Sequence, residues 1–495
     1  MYKHDEKQMI MPHEFFLPFG GKLNPENRWC KLALLIPWDV IEDRYARCFK
    51  NLRNGNEAVS ARMAFGSLFV QNRETLSDKK LLEHLTENPY MQYFIGLQGF
   101  TIKPPFVPSL LVEFRKRLGA DIINEINELI AKPDISKHDQ NNDKKNDDNN
   151  NTPGDGGGTP EEPHSQAADA GDKVNAGKLI LDATCTPAYI HFPTDISLLN
   201  DVREALEEIV DVLHEPYKGV ARKPRTYRDC ARKDYIDITK KKRPTAKELR
   251  KAIGQQLRYV RRDLAVVDKM LDNSPMELLS KRQYRNLLVS QEIYRQQSEM
   301  YRNKSHKIED RIVSLSMPFV RPIVRGKANA PVEFGAKLSV SIVDGYTYME
   351  NVSFDAYNEG ITLKQSVERY YERFGCYPEA VIGDKIFRTR GNSQYCKEHG
   401  IRLSGPPLGR PPTDTELRKE QRRQERDDTG IRNAVEGKFG EGKQIYGLGR
   451  VMARLQDTSI AVIALQILVM NLERRLRVLI FNIFRIRIWA FGWAE

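Results

Sequence analysis

The 495-residue chain has no C-x-x-C pair: its six cysteines (Cys30, Cys48, Cys185, Cys230, Cys376 and Cys396) are scattered. That spacing argues against a zinc site or a disulfide framework and fits a reducing cytoplasm. The chain also has no clean hydrophobic run. Its longest apolar stretches, 460–470 and 478–489, are separated by Arg474, Arg475 and Arg477, and Arg485 and Arg487 interrupt the second. Neither reaches the roughly 20 residues that a membrane helix requires, so both are expected as buried or amphipathic core elements. The opening Met1 to Lys7 has no apolar core of a secretory signal. A cytoplasmic location away from membranes is the expectation.

What is present is a globular composition, 40% hydrophobic and 29% charged, in a chain long enough for two or three domains. Lys and Arg number 78 against 67 Asp and Glu, a formal charge of +11. The excess is moderate, so its clustering matters more. Basic groups recur at 240–243, 258–262 and 418–426, which favours a nucleic-acid partner over isolated solvated helix faces.

One boundary is plain. Residues 134–177 are dominated by Asn, Asp, Lys, Gly and Pro and hold too little apolar surface to fold, so they are expected as a disordered linker. Residues 1–133 read as a helical, DNA-binding domain. Ala61, Ala64, Phe65, Leu68 and Phe69 share a helical stripe, Ser77 is placed to cap the next helix, and Asn88-Pro89 ends it. Residues 178–455 read as a catalytic domain interrupted by a helical insertion over about 198–312, and 456–495 as a C-terminal helical segment. Within the insertion, Thr245 and Glu248 form a capping box.

The catalytic part alternates strands and helices. Leu179 to Asp182 is a short apolar run ending in a carboxylate, and Ala380 to Asp384 is a second. Between them, 332–342 alternates with strand period, Asp344-Gly345 makes a hairpin turn, and 346–354 returns. Thr362 and Gln365 are expected to box the start of a helix that Gly375 ends. A lone aspartate after a strand is usually a turn or cap residue. Two after matched apolar strands shift the balance, because burying a carboxylate is costly without a cation or donors. Asp195 and Asp344 are rivals ranked lower, the first as an N-cap and the second as a turn residue.

A third carboxylate comes from the segment after Thr429. Arg432, Glu436 and Lys443 stand at i, i+4 and i+11 and so project from one face of a helix. A surface ion pair between Arg432 and Glu436 is the plainer alternative. Gly437, Gly440 and Gly442 each weaken a helix by about 1 kcal/mol relative to Ala and would make sense if a DNA backbone approached there.

At these residues the sequence resembles the DDE-type transposases of bacterial insertion sequences. The resemblance rests on Glu87 to Gly96 and Pro105 to Arg117 in the N-terminal part. In the catalytic part it rests on Leu181-Asp182-Ala-Thr, Pro193-Thr-Asp195, Val324-Arg-Gly-Lys327, Glu333 to Lys337, Gly383-Asp384-Lys-Ile-Phe and Gly405 to Arg410. The late segment is similar to the family's Y-x2-R-x3-E-x6-K pattern, with Thr429 standing where the family has tyrosine. The resemblance implies an α/β fold: an RNase H-like mixed sheet with a helical insertion, plus an all-α N-terminal domain. It implies a DNA transposase that cleaves element ends and transfers their 3′-OH strands to target DNA. Asp182, Asp384 and Glu436 would be both catalytic residues and ligands of two Mg2+ ions, with Mn2+ able to substitute. Arg432, Lys443, Lys438, Arg325 and Lys327 would contact DNA. The implied partners are double-stranded DNA, at terminal inverted repeats and target, and further copies of the chain in a dimer or larger assembly. Two alternatives remain open: an RNase H-like nuclease that cuts without joining, and a catalytically silent DNA-binding derivative.

Overall fold

The computed structural model describes residues 2–3, 10–18, 20–49, 57–131, 175–272, 275–324, 332–405 and 415–491, with side chains to 482 in the last stretch. Residues 134–174 of the expected linker, and the candidate DNA contacts Arg325 and Lys327, lie outside these. The last linker residues are docked on the sheet's neighbours: Asn175 Nδ2 donates to His399 O at 2.8 Å and Ala176 N to Tyr377 O at 3.0 Å.

Seven helices come first: α1 (Arg28–Leu35), α2 (Trp38–Arg47), α3 (Ala61–Arg73), α4 (Asp78–Glu87), α5 (Pro89–Phe94), α6 (Leu110–Arg117) and α7 (Ala120–Ile130). Their starts are locally encoded. Asn27, Ser60, Ser77 and Asn88 each accept a backbone N–H of the following turn. Asn88-Pro89 does end α4, and the same pair starts α5, since proline at the first helical position costs no hydrogen bond.

A six-stranded mixed sheet follows. β1 (Lys178–Pro187) lies between β3 (Val332–Val343), antiparallel, and β5 (Ala380–Ile382), parallel. β6 (Arg402–Leu403) extends the parallel side. On the far edge of β3, β2 (Arg321–Val324) pairs with its start and β4 (Tyr346–Ser353) with the rest. The β3–β4 turn is the expected Asp344-Gly345 pair, with φ of 47° and 74°, the positive values a tight hairpin needs. Helix α12 (Leu363–Phe374) closes at Gly375 with φ 72°, as expected. Its start differs. The Thr362 hydroxyl turns back to Glu359 O at 2.8 Å, because a 3-10 turn over 359–362 runs directly into the helix, and no Thr362–Gln365 box forms.

The insertion between β1 and β2 is a bundle of α8 (Asp195–His214), α9 (Arg228–Thr239), α10 (Ala246–Leu271) and α11 (Lys281–Asn303), with its own apolar core. The Thr245–Glu248 box is present. After β5 come α13 (Arg390–Glu398), β6, the 30-residue α14 (Thr415–Gln444) and the 36-residue α15 (Gln456–Phe491). Between Ala461 and Leu472 every residue of α15 is buried. One hydrophobic cluster joins it to the N-terminal helices and to Ala336, Leu338 and Val340 of β3. Polar links reinforce this contact: buried Glu473 accepts Arg28 at 2.9 Å and Arg73 at 2.5 Å, and Asn471 bonds Asn127 and both backbone groups of Thr347. Among the described residues no helix is long and apolar enough to cross a membrane.

Candidate active site

The sheet's register places the two aspartates side by side. Ile180 of β1 pairs with Ile382 of β5, and two residues further on stand Asp182 and Asp384. Adjacent strands lie about 4.8 Å apart, so this step brings together carboxylates some 200 positions apart in sequence. Asp182 is the fifth residue of β1 rather than its last: the strand continues to Pro187 against β3 alone. What ends at Asp182 is the parallel pairing, because β5 stops at Ile382, and the sheet opens there.

Asp182 is partly buried, and its carboxylate accepts the N–H of Ala183 at 2.7 Å. Its pKa lies above the ordinary carboxylate value. Desolvation is the main cause; the charges of Glu359 and Asp384 add to it, while the Ala183 N–H and Arg432 oppose it. Asp384 is half exposed and caps the short 3-10 turn 385–387 by accepting Lys385 N at 2.7 Å. It also accepts the Arg432 guanidinium at 3.2 Å.

Arg432 comes from α14. That helix lies on the sheet through Val435, flanked by Ile431 and Phe439, against Ile180, Ile342 and Ile382. Ile180 and Ile382 lead into the two aspartates and Ile342 lies beside Ile180 on β3, so packing this seam sets the helix over the carboxylate edge. Arg432 spends its charge on Asp384, not on Glu436. Glu436 is exposed one turn further along, next to the seam residue Val435. Among the described residues no three His, Cys, Asp or Glu side chains are close enough to hold a metal together. The structure thus groups Asp182, Asp384 and Arg432 and leaves Glu436 at the rim.

The other sequence candidates fall differently. Lys438 is largely buried and pairs with Glu441 at 3.1 Å, and burial lowers its pKa. Lys443 is partly buried in the last turn of α14. Gly442 makes room for protein: a Cβ there would meet Leu448 and Met470, whereas Gly437 and Gly440 face open space. Asp195 is not the N-cap of α8. Thr194 is, boxed with Ser197, and Asp195 instead accepts Arg311 at 2.7 Å and Gln297 at 2.9 Å. The reason is positional: Asp195 already has helical backbone, so its side chain is free to tie α8 to α11 and the segment after it.

Sequence reading missed Glu359. It sits in the 3-10 turn between β4 and α12 and pairs with Lys337 of β3 at 2.9 Å, both side chains being largely buried. Lys337 also donates to Tyr357 O at 2.7 Å, and Tyr357 Oη meets Ser339 Oγ at 2.8 Å; Ser339 faces Ala183 across the sheet. The loop is pinned on its other side by Asn392, whose Nδ2 donates to Gly360 O and Phe387 O, both at 2.8 Å. Glu359 is therefore an acidic charge acting on Asp182 besides Asp384, held by strand and loop contacts that no local sequence pattern announces.

Comparison with known proteins bears on both halves of the chain. Residues 18–117 match a family described as a transposase domain (DUF772), and residues 381–473 match the transposase DDE domain. The second match contains Asp384 and Glu436; Asp182 lies outside it. An uncharacterized protein, ORF8 in the nfe locus of Rhizobium meliloti, is 29% identical over 104 residues, 21% of this chain. The match spans about half of that relative's length, 49%. No solved structure matches the chain.

Proposed function

We propose that this chain, a DDE-type insertion-sequence transposase, cleaves the ends of its element and joins the freed 3′-OH strands to target DNA. The observation that carries the reading is the register that sets Asp182 beside Asp384 at the open edge of the sheet, under a helix bearing Arg432 and Glu436. Three antiparallel strands followed by two parallel ones, in the order β4-β3-β1-β5-β6, support an RNase H-like core.

The donor set suits a hard divalent cation. Asp182, Asp384 and Glu436 are oxygen ligands of the kind magnesium prefers. The carboxylates also lack sufficient positive charge without one: Asp182 is pushed towards its neutral form, and Arg432 already leans on Asp384 as a cation would. Asp182 and Asp384 would hold a pair of Mg2+ ions, which Mn2+ could replace, with Glu436 completing the set only on moving in from the rim, and such ions would activate the attacking oxygen and stabilise the leaving one. The remaining work belongs to the chain. β1 and the loop after β5 fix two carboxylates in register. The apolar seam of α14 holds Arg432 against that edge and carries Glu436 at its rim. Arg432 would contact a phosphate beside the scissile bond were it free of Asp384.

The test is incubation of purified protein and Mg2+ with duplexes carrying the element's own ends, read on a sequencing gel for nicked and joined products. Asp182→Asn, Asp384→Asn and Glu436→Gln should each abolish both products and leave binding to the ends nearly unchanged. A variant cutting at near wild-type rate would remove that residue from the triad. Cleavage without any joined product would leave a nuclease.

A further inference from the structure

Two of the basic residues on α14 expected to contact DNA are engaged within the protein: Arg432 holds Asp384 and Lys438 holds Glu441. The chain's excess of positive charge lies elsewhere. Residues 218–262 contain seventeen Lys and Arg against four Asp and Glu, a net +13, whereas the whole chain nets +11. Everything outside that segment therefore nets −2, and the basic character of the protein is the basic character of this one segment.

The segment is the 218–227 loop, which carries four of these cations, followed by the hairpin of α9, the 240–245 loop and the first two thirds of α10, which nets +9. The two helices are locked by Gln256 Nε2 donating to Ala231 O at 3.1 Å and Tyr259 Oη to Asp234 at 2.9 Å. Ile238 and Ala252 are buried between them and Ile196 of α8. Along α10, Lys247, Lys251, Arg258 and Arg261 recur at i, i+4, i+11 and i+14, which is one stripe of a 3.6-residue helix. All four are exposed, as are Lys240 and Lys242 in the loop. None of these six forms an ion pair with any described residue, whereas Arg295 of the same insertion pairs with Glu292 and Glu299, and Arg311 with Asp195.

A stripe of unneutralised cations on a rigid scaffold is costly to the folded chain through self-repulsion and is relieved by a polyanion. Its dimensions select the kind. From Lys247 to Arg261 the stripe runs about 21 Å at about 1.5 Å per residue, well within the roughly 34 Å repeat of a duplex. A duplex carries about one charge per 1.7 Å, so it could face the whole stripe, which a short acidic peptide could not.

We propose that the α9–α10 hairpin is this protein's principal grip on DNA, holding the sugar–phosphate backbone electrostatically and without reading bases. The proposal rests on the reading that the chain acts on DNA, and it moves the bulk of the binding energy from the carboxylate edge to the insertion.

The experiment measures full-length protein binding to a labelled 30-base-pair duplex of arbitrary sequence by anisotropy over a series of KCl concentrations. The Lys247→Gln/Lys251→Gln/Arg258→Gln/Arg261→Gln protein keeps good helix formers on an exposed face and should stay folded. Its log-affinity against log-salt slope should fall in magnitude by about 3 to 4, at about 0.9 per lost phosphate contact, with affinity at physiological salt at least tenfold weaker. The loop variant Lys240→Gln/Lys242→Gln, outside both helices, should lose about 2 in slope and decides the matter if the first variant is misfolded. A charge-matched control, Lys22→Gln/Lys79→Gln/Lys80→Gln/Lys397→Gln, should move the slope by less than one. Equal losses in control and hairpin variants, or unchanged slopes in both hairpin variants, would overturn the proposal. Tighter binding to duplex RNA of the same length would overturn the choice of DNA. If wild-type protein bound no DNA at any salt, the transposase reading itself would fall. If it bound and cut while the hairpin variants bound equally well, only this inference would.

Discussion

Asp263 is the one carboxylate in the insertion for which burial and bonding disagree. It lies on the inner face of α10, fully buried, and neither of its oxygens has a hydrogen-bond partner. The charged groups that act on it are Arg203 and Glu207 of α8, Arg228 of α9 and Arg262 of α10. Arg203 is itself committed to Glu207 and to Asn200 at 2.8 Å. Desolvation is therefore uncompensated and pushes the Asp263 carboxyl up from 3.8 to about 7, with Glu207 adding to the rise and the arginines opposing it. The folded state then holds this proton more tightly than the unfolded chain does. Its stability is highest when the carboxyl is neutral and falls as pH rises from about 4 through about 7. At about 1.4 kcal/mol per unit, a shift of about 3 units is worth about 4 kcal/mol above neutrality, of which about 2.5 kcal/mol develops between pH 5 and 7.5. Asp263→Leu removes the charge and fills a similar volume with apolar atoms. Urea unfolding followed by far-ultraviolet circular dichroism should show the variant more stable than wild type at pH 7.5 by a few kcal/mol, with the gap shrinking by about 2.5 kcal/mol at pH 5. Parallel pH profiles for the two proteins, or a variant less stable than wild type at pH 7.5, would refute the reasoning and mean that Asp263 is bonded in solution.

Three further outcomes are expected. Glu359→Gln removes a negative charge acting on Asp182, so the Mg2+ concentration for half-saturation, read by calorimetry, should rise several-fold; an identical titration curve would confine Glu359 to its pairing with Lys337. Arg373→Met strips buried Glu350 of its 2.6 Å partner and should cost about 3 to 5 kcal/mol in urea unfolding, whereas Arg44→Met, at a partly exposed pair with Glu125, should cost under about 1 kcal/mol; equal losses would defeat the distinction. Lys438→Gln should leave DNA affinity and its salt slope unchanged, because Lys438 faces Glu441 inside the protein; a slope lower by about one would restore it as a phosphate contact.

Much of the core's secondary structure is legible because short-range chemistry dictates it. The alternation through 332–342, the Asp344-Gly345 turn and the Gly375 terminus each need only a handful of adjacent residues, and each forms where expected. Caps were legible where one residue chooses between two states and illegible where a neighbour competes. Thr245 has only Glu248 to bond, so its box forms, whereas Thr362 follows a 3-10 turn that offers Glu359 O first, and Thr194 takes the cap that Asp195 was expected to fill. The apolar runs before Asp182 and Asp384 marked two strands, but their adjacency depends on a parallel pairing closed across some 200 residues, which nothing local encodes. Glu359 was invisible for the same reason: its meaning comes from Lys337 across the hairpin and from Asn392 beyond the next strand.

Charge separation then follows from what the two regions must do. The carboxylate edge presents Asp182, Asp384 and Glu359 against Arg432 and Lys337, so without bound cations it keeps an acidic excess that repels the phosphodiester it is proposed to cut. Adding lysines there would attract DNA but would also neutralise the carboxylates and displace metal ligands from them. Arg432 already shows that competition on Asp384. A grip built into the insertion avoids the conflict, because at physiological salt charges more than about 8 Å apart are largely screened from one another. The +13 segment 218–262 can therefore hold the duplex while the acidic edge keeps its affinity for metal. On this account, lowering salt should strengthen DNA binding steeply yet leave the Mg2+ requirement for cleavage almost unchanged. If both shifted together, grip and site would be one electrostatic unit, and the division argued from residues 218–262 would not hold.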